Sequence, residues 1–145
     1  MSGAPILVLD ASVGVKWFRD EPGSAQAQAI LRDHADGRIA LHAAEHFTVE
    51  TLGVVSRLFG PAAIIPAWDA IMLSDLQVHA LSPELVGEAA RQCALLGCTL
   101  YDALSPALAV LLGGELVSAD RCAHGGFEHV RILGELDKEE ARLPE

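Results

Sequence analysis

The chain has 145 residues, of which 51% are hydrophobic, and this composition predicts one globular domain and excludes a disordered chain. The net charge of −10 argues against general affinity for nucleic acid, because phosphate binding depends on lysine and arginine. No apolar run reaches the ~20 residues that cross a bilayer, and no basic leader precedes a signal-type segment, so we expect a cytoplasmic protein with no membrane partner.

The first predicted strand is the apolar run at residues 6–9, which ends at Asp10. Consecutive aliphatic residues are typical of a strand that is covered on both faces. In open α/β sheets, ligands bind in the crevice beyond the carboxyl ends of the strands. A carboxylate in that position is partly desolvated and needs a partner. Beyond it, Ser12 is predicted to cap a short helix that runs through Trp17.

The rest of the chain divides into alternating helices and strands at glycine, proline and capping residues. The predicted helices cover residues 25–34, 43–59, 61–76, 83–96 and about 100–111, and the predicted strands cover residues 38–42, 77–81, 115–118 and 129–133. This alternation indicates an α/β fold with a parallel sheet. Pro106 predicts a kink in the last helix, or a helix start nearer to the proline than the Thr99 cap suggests.

Four acidic residues occur within or directly after apolar patterns. Asp10 and Asp120 follow predicted strands, Asp102 lies in the first turn of a helix, and Glu50 falls on the apolar stripe of another helix. That stripe comprises Phe47, Val54 and Leu58. If the four carboxylates converge, either their pKa values rise or a cation lies among them. Oxygen ligands favour Mg²⁺ or Mn²⁺, and the pattern therefore predicts metal-assisted phosphodiester hydrolysis.

Each acid also has a structural interpretation. Asp102 is favoured by the dipole at a helix start, and Asp10 and Asp120 are common residue types in turns after strands. Glu50 has Arg57 and His46 as alternative salt-bridge partners on its own helix. The metal interpretation therefore depends on the four acids meeting in one place.

Seven short segments carry a resemblance to a known family. They read VLDASV (8–13), VKWF (15–18), DEPGS (20–24), VETL (49–52), YDAL (101–104), ALA (107–109) and SADR (118–121). Their order and spacing resemble PIN-domain ribonucleases, in particular the VapC-type toxins of bacterial toxin–antitoxin pairs. The resemblance implies a three-layer α/β/α fold with a central parallel sheet of four to five short strands. It further implies a single nuclease domain over residues 1–145, with its core at about 6–133 and a charged tail at 137–145.

By the same resemblance, Asp10, Glu50, Asp102 and Asp120 hold Mg²⁺ or Mn²⁺ and catalyse RNA cleavage. Ser118 takes the place of the threonine or serine that the family has beside the last acid, and Ser12 supports the first acid. The family also implies a homodimer and a small VapB-like antitoxin. Pro106 departs from the family, which usually has a residue compatible with an uninterrupted helix there.

The basic residues near the acids are candidates for contacts with RNA phosphates. They are Lys16, Arg19, Arg57 and Arg121. In the alternative interpretation, they pair with neighbouring acids such as Asp20 and Glu21. Similarly, Trp17, Phe18 and Phe47 either form an apolar groove for the antitoxin or belong to the core.

Two other functions fit parts of the pattern. One is a PIN-type nuclease with a role in RNA processing rather than as a toxin. The other is a catalytically silent α/β signalling or binding module, which would need a lysine at a late strand end. The late strand ends, at residues 118–120 and 133–135, have no lysine.

Overall fold

A computed structural model describes residues 3–134, so the predicted charged tail lies outside the described residues. The strands are β1 (Ile6–Leu9), β2 (Ala40–Ala44), β3 (Gln77–His79), β4 (Glu115–Ser118) and β5 (Val130–Ile132). The helices are α1 (Ala11–Gly14), α2 (Ser24–Ala35), α3 (His46–Phe59), α4 (Ile64–Leu73), α5 (Pro83–Leu96), α6 (Leu100–Leu112) and α7 (Arg121–His124), with 3₁₀ turns at Val15–Trp17 and Pro61–Ala63.

The strands form one parallel sheet in the order β3-β2-β1-β4-β5. β1 is central, with Leu7 opposite Leu41 of β2 on one side and Val8 opposite Leu116 of β4 on the other. In chain order, β2 and β3 are added on one side of β1, and β4 and β5 are then added on the other side. The crevice between the carboxyl ends of β1 and β4 is therefore the switch point at which α/β sheets bind ligands. The predicted parallel sheet of four to five strands is confirmed.

Side chains of β1 alternate between two cores. Leu7 and Leu9 pack with the first four helices, whereas Val8 packs with α5 and α6. The first core includes Val13, Ala27, Phe47 and Ile71, and the second includes Leu85, Ala89, Leu104 and Leu108. Leu7, Val8 and Leu9 are almost fully buried, which is why the sequence of β1 is continuously apolar. The predicted three-layer arrangement is confirmed.

Helix α1 lies unusually close to α3 because it carries a glycine at the contact. A Cβ on Gly14 would lie 2.6 Å from Phe47 Cζ and 2.7 Å from Thr51 Oγ1, which no real side chain tolerates. Only a glycine permits this approach. The contact places Ser12, on α1, beside the helix that carries Glu50.

The buried face of α3 differs from the predicted stripe. Phe47 is buried as expected, but Leu58 is 39% exposed. The residues that join Phe47 in the interior are His46, Thr48, Thr51 and Val55. The helix also begins at His46 rather than at residue 43, because Ala43 and Ala44 pair with β3 as part of β2. The predicted stripe was therefore offset from the true core face, and Glu50 lies beside that face rather than on it.

The aromatic residues near the start of the chain belong to the core. Phe47 is fully buried, and Trp17 meets its ring edge-on at 5.8 Å while donating from Nε1 to the carbonyl of Ala27. Phe18 also packs against this core. These contacts favour the core interpretation over an apolar groove for a partner.

No helix within residues 3–134 is long and apolar enough to cross a bilayer. Helices α5 and α6 meet the length and hydropathy required for a membrane span only when they are taken together, and the pair is bent by 112° at the break between them.

Candidate functional site

An open cavity of about 630 Å³ lies at the switch point of the sheet, and all four predicted acids line it. Asp10 follows β1, Glu50 is on α3, Asp102 is in the first turn of α6 and Asp120 follows β4. Other lining residues include Ser12, His46, Val54, Arg57 and Tyr101. The structure thus brings together side chains from four separate elements.

Asp10 is the most buried of the four acids, at 8% exposed. Its amide extends the β1–β4 ladder by donating to the Val117 carbonyl over 3.0 Å. Its Oδ2 atom accepts from the amide of Ser12 at 3.0 Å and from the Ser12 hydroxyl at 2.6 Å. Asp10 is therefore the cap of α1, and the prediction that Ser12 caps this helix is wrong. The Ser12 hydroxyl instead also accepts from the amide of Ala119, at 2.9 Å.

Glu50 is half-buried and interacts with the side chain of Tyr101. Burial, followed by the charges of Asp10 and Asp102, raises the pKa of Glu50, while its hydrogen bond with the Tyr101 side chain acts in the opposite direction. Burial and the Glu50 charge raise the pKa of Tyr101 in turn. Within residues 3–134, Glu50 forms no ion pair with Arg57 or His46, which removes the alternative salt bridges.

Asp102 lies where the sequence predicts, in the first turn of α6. The Thr99 side chain caps this helix and accepts from the Asp102 amide at 3.2 Å. The helix begins at Leu100 and continues through Pro106, so the alternative of a start nearer to the proline is wrong.

Asp120 is exposed at the turn after β4. Its Oδ1 atom caps α7 by accepting from the Ala123 amide at 3.1 Å. Its own amide donates to the hydroxyl of Ser118, over 3.0 Å, and Ser118 is fully buried. Ser118 therefore holds the main chain of this acid, just as Ser12 holds the side chain of Asp10.

A family model for the PIN domain matches residues 7–130. The chain belongs to the PIN-domain family. Three solved structures illustrate the fold of this PIN domain. VapBC2 of Rickettsia felis, bound to a promoter DNA fragment, has a TM-score of 0.69 at 16% identity, with 88% of this chain and 98% of that chain covered. VapC20 of Mycobacterium tuberculosis, described as a sarcin–ricin loop cleaving toxin, has a TM-score of 0.66 at 19% identity, with 88% and 98% covered. DNA-bound VapBC of Salmonella typhimurium has a TM-score of 0.68 at 12% identity, with 88% and 96% covered.

At these identities the solved structures establish the fold alone. No curated protein matches the sequence significantly. The resemblance found in the seven segments is thus confirmed for the family and for its three-layer fold.

His46 lines the acidic cavity of this PIN domain, a position that the sequence analysis did not predict. His46 begins α3, is 7% exposed and meets the Tyr101 ring edge-on at 5.1 Å. Burial lowers the pKa of His46, and the charges of Asp10 and Asp102 partly oppose this effect. Its Nδ1 atom has no hydrogen-bond partner in the described part of the chain. No local pattern around His46 signals its position, since it depends on how α3 packs.

The four candidate cations have different environments. Lys16 is 7% exposed and donates to Glu21 at 3.0 Å and to the Pro22 carbonyl at 2.6 Å. Arg19 is half-exposed and lies 3.9 Å from Glu21. Arg57 lines the acidic cavity, and Arg121 lines a neighbouring cavity. The alternative of pairing with Glu21 thus describes Lys16 well, whereas Arg57 lines the same cavity as the four acids.

The donor set of this PIN domain fits a hard divalent cation. Among the described contacts, Lys16, Arg19 and Arg57 form no ion pair with any of the four carboxylates, so these cations do not offset the repulsion among the acids by direct contact. Within residues 3–134, no three acidic, histidine or cysteine side chains are grouped tightly enough to coordinate one ion directly. A hard divalent cation bound by one or two carboxylates and several waters does not require such a tight group.

Proposed function

We propose that this PIN domain is a metal-dependent endoribonuclease and the toxin of a toxin–antitoxin pair. One observation carries the proposal: carboxylates from four separate elements line one cavity at the switch point, and Lys16, Arg19 and Arg57 form no ion pair with them. The fold neighbours support the biological role, because they include VapBC complexes and a toxin that cleaves the sarcin–ricin loop.

Asp10, Glu50, Asp102 and Asp120 would hold Mg²⁺ or Mn²⁺, directly or through water. When bound, the ion supplies Lewis-acid stabilisation of phosphate charge and a water of lowered pKa. Ser12 fixes the Asp10 carboxylate by donating twice to one oxygen, which leaves the other oxygen unused by these bonds.

RNA would enter across the open side of the same cavity. Arg57 lines it and is exposed, and it is therefore the basic residue best placed for a phosphate. Lys16 has a structural role in this proposal, since its ammonium group is already bound to Glu21 and Pro22. Arg19 and Arg121 are further candidates for contacts at the rim.

The proposed partners are a small antitoxin and a second copy of the chain. A net charge of −10 suits an antitoxin segment that is basic. An RNA substrate would be met in the cytoplasm, the location predicted from the sequence. Light scattering of the purified protein, alone and with the product of an adjacent small gene, tests the homodimer and the antitoxin complex separately.

The nuclease proposal is tested by incubating purified protein with RNA and either Mn²⁺ or Mg²⁺. We expect cleavage that EDTA abolishes, and at least about a hundredfold loss in Asp10→Asn, the scale typical of lost electrostatic stabilisation. Asparagine keeps the shape of the side chain and removes its charge, so the fold should persist. Asp69→Asn, an exposed change on α4, is the matched control and should cleave at the parent rate. Equal cleavage by Asp10→Asn and the parent would contradict the assigned site.

A further inference from the structure

A proline inside α6 deprives one acid of a backbone partner. In a continuous helix, the amide of residue 106 would donate to the carbonyl of residue 102. Pro106 lies inside α6 and has no amide hydrogen, so this hydrogen bond to the carbonyl of Asp102 cannot form. The Asp102 carbonyl oxygen therefore needs a hydrogen-bond donor from another part of the protein.

His124 supplies that donor from a distant part of the chain. Its Nε2 atom lies 2.7 Å from the Asp102 carbonyl oxygen, and the side chain is 1% exposed. Because a carbonyl can only accept, the contact requires the proton on Nε2. The opposite ring nitrogen, Nδ1, lies 2.7 Å from the Ser118 hydroxyl, which then donates to it.

The same hydroxyl closes the connection to the last acid. Ser118 Oγ accepts from the amide of Asp120 at 3.0 Å. A single path of hydrogen bonds thus runs from the Asp120 amide through Ser118 and His124 to the Asp102 carbonyl, with every donor matched to an acceptor. Ser118 and His124, the two side chains of this path, are both buried, and the path connects two of the acids that line the cavity.

We propose that His124 and Pro106 act together to hold the main chain of Asp102 at a fixed position relative to Asp120. The proline frees the carbonyl and the histidine binds it, so each residue needs the other. His124 is a positioning residue, since it contacts the main chain of Asp102 and not its carboxylate. This inference rests on the proposed metal site for its effect on metal binding, but the pairing itself can be tested without metal.

The pairing predicts a rescue. His124→Phe keeps a ring of similar size and removes both nitrogens, leaving the Asp102 carbonyl without a donor. Pro106→Ala restores the helical amide four residues after Asp102. We expect His124→Phe to weaken Mn²⁺ binding, measured by calorimetry, by about 10- to 100-fold, as is typical when a group that orients metal ligands is lost.

Adding Pro106→Ala should recover a large part of this loss. Pro83→Ala, at the first position of α5, is the matched proline control and should recover none. His129→Phe, an exposed change, controls for loss of a histidine and should bind Mn²⁺ like the parent. A histidine that only stabilised the fold would lower the melting temperature and leave the Mn²⁺ affinity of the folded protein unchanged. The same loss of affinity with and without Pro106→Ala, or no loss at all, would overturn the proposal.

Two further measurements separate this inference from the proposed function. If the parent binds no Mn²⁺, the nuclease proposal fails, and melting temperatures without metal decide the pairing. His124→Phe should then lower the melting temperature more in the parent than in Pro106→Ala, and equal lowering would overturn the pairing. If His124→Phe does not fold, nitrogen-15 NMR of the parent decides. A His124 ring proton on Nε2 supports the proposal, and a proton on Nδ1 overturns it.

Discussion

The Ser12 hydroxyl accepts a hydrogen bond from the Ala119 amide over 2.9 Å while it donates to Asp10 over 2.6 Å. It thereby joins the segments that follow β1 and β4, which carry the first and the last of the four acids. These strands are adjacent and parallel, but their register alone does not fix the side chains beyond their ends. The serine supplies that fixed relationship.

Removing the Ser12 hydroxyl should therefore impair the site and the fold together. Ser12→Ala leaves the Ala119 amide without its acceptor and Asp10 with one donor fewer, which should cost about 1–3 kcal/mol of unfolding free energy. We expect RNA cleavage to fall by about tenfold or more, as the carboxylate is no longer held. Urea unfolding and initial cleavage rates measure the two effects. Ser56→Ala, where the described contacts include no hydroxyl hydrogen bond, is the control, and equal behaviour of the two variants would contradict the prediction.

A divalent metal ion should stabilise the folded protein by binding to the four carboxylates that line the cavity. A ligand that binds only the folded state adds about 2.7 kcal/mol when its concentration is a hundred times its dissociation constant. Thermal unfolding in rising Mn²⁺ should thus show an increasing melting temperature, reversed by EDTA. Asp10→Asn should show a much smaller rise, whereas Asp69→Asn should match the parent. A melting temperature that does not respond to millimolar metal counts against the site.

Glu50 should make the metal-free protein more stable as the pH falls. The folded pKa of Glu50 is raised by burial and by Asp10, so the folded state binds its proton more tightly than the unfolded state does. Its destabilising effect is therefore full at neutral pH, declines as the pH falls through the raised pKa, and vanishes below the ordinary value of about 4.3. In EDTA, Glu50→Gln should unfold at a higher temperature than the parent at neutral pH, with the difference shrinking on acidification. Glu128→Gln, at an exposed position, should show no such change. A pH-independent difference would contradict this origin.

Substitutions of Lys16 and Arg57 should have different effects, the first on the stability of the fold and the second on RNA binding. Lys16→Met removes the closest partner of Glu21 and the side-chain donor to the Pro22 carbonyl, so we expect a loss of about 1–3 kcal/mol in unfolding free energy with little change in KM for RNA. Arg57→Gln should change stability by less than about 0.5 kcal/mol, since this side chain is exposed. It should raise KM and reduce the slope of log affinity against log salt by about 0.7, the value for one phosphate contact on a single strand. The reverse assignment of the two effects would show that Lys16, not Arg57, meets the RNA.

Local chemistry explains the elements that were predicted well. Helix α5 has the predicted bounds because its signals are adjacent to it in sequence: Ser82 caps it, Pro83 opens it and Gly97 ends it in a left-handed conformation. The Thr99 cap likewise sets the start of α6. The four acids were predictable because each follows or interrupts an apolar pattern.

Tertiary contacts explain what was missed. Ala43 and Ala44 suit a helix equally well, and only pairing with β3 assigns them to β2. Asp10 rather than Ser12 caps α1 because the helix begins at Ala11, and the Ser12 hydroxyl instead accepts from the amide of Ala119, a residue far away in sequence. Pro106 indicated a disturbed helix, but its consequence depends on His124, which follows after a further strand. Such contacts leave no mark in the spacing of nearby residues.

The position of β4 in the chain has a consequence for synthesis. β1 and Asp10 precede all the other strands in the chain, whereas β4, one of the two neighbours of β1 in the sheet, and Asp120 beyond it are translated only after α6. A nascent or prematurely terminated polypeptide that stops before β4 has one open flank on its central strand and lacks Asp120. A cell making this protein would therefore be exposed to the complete acid cluster only after β4 and Asp120 have been translated.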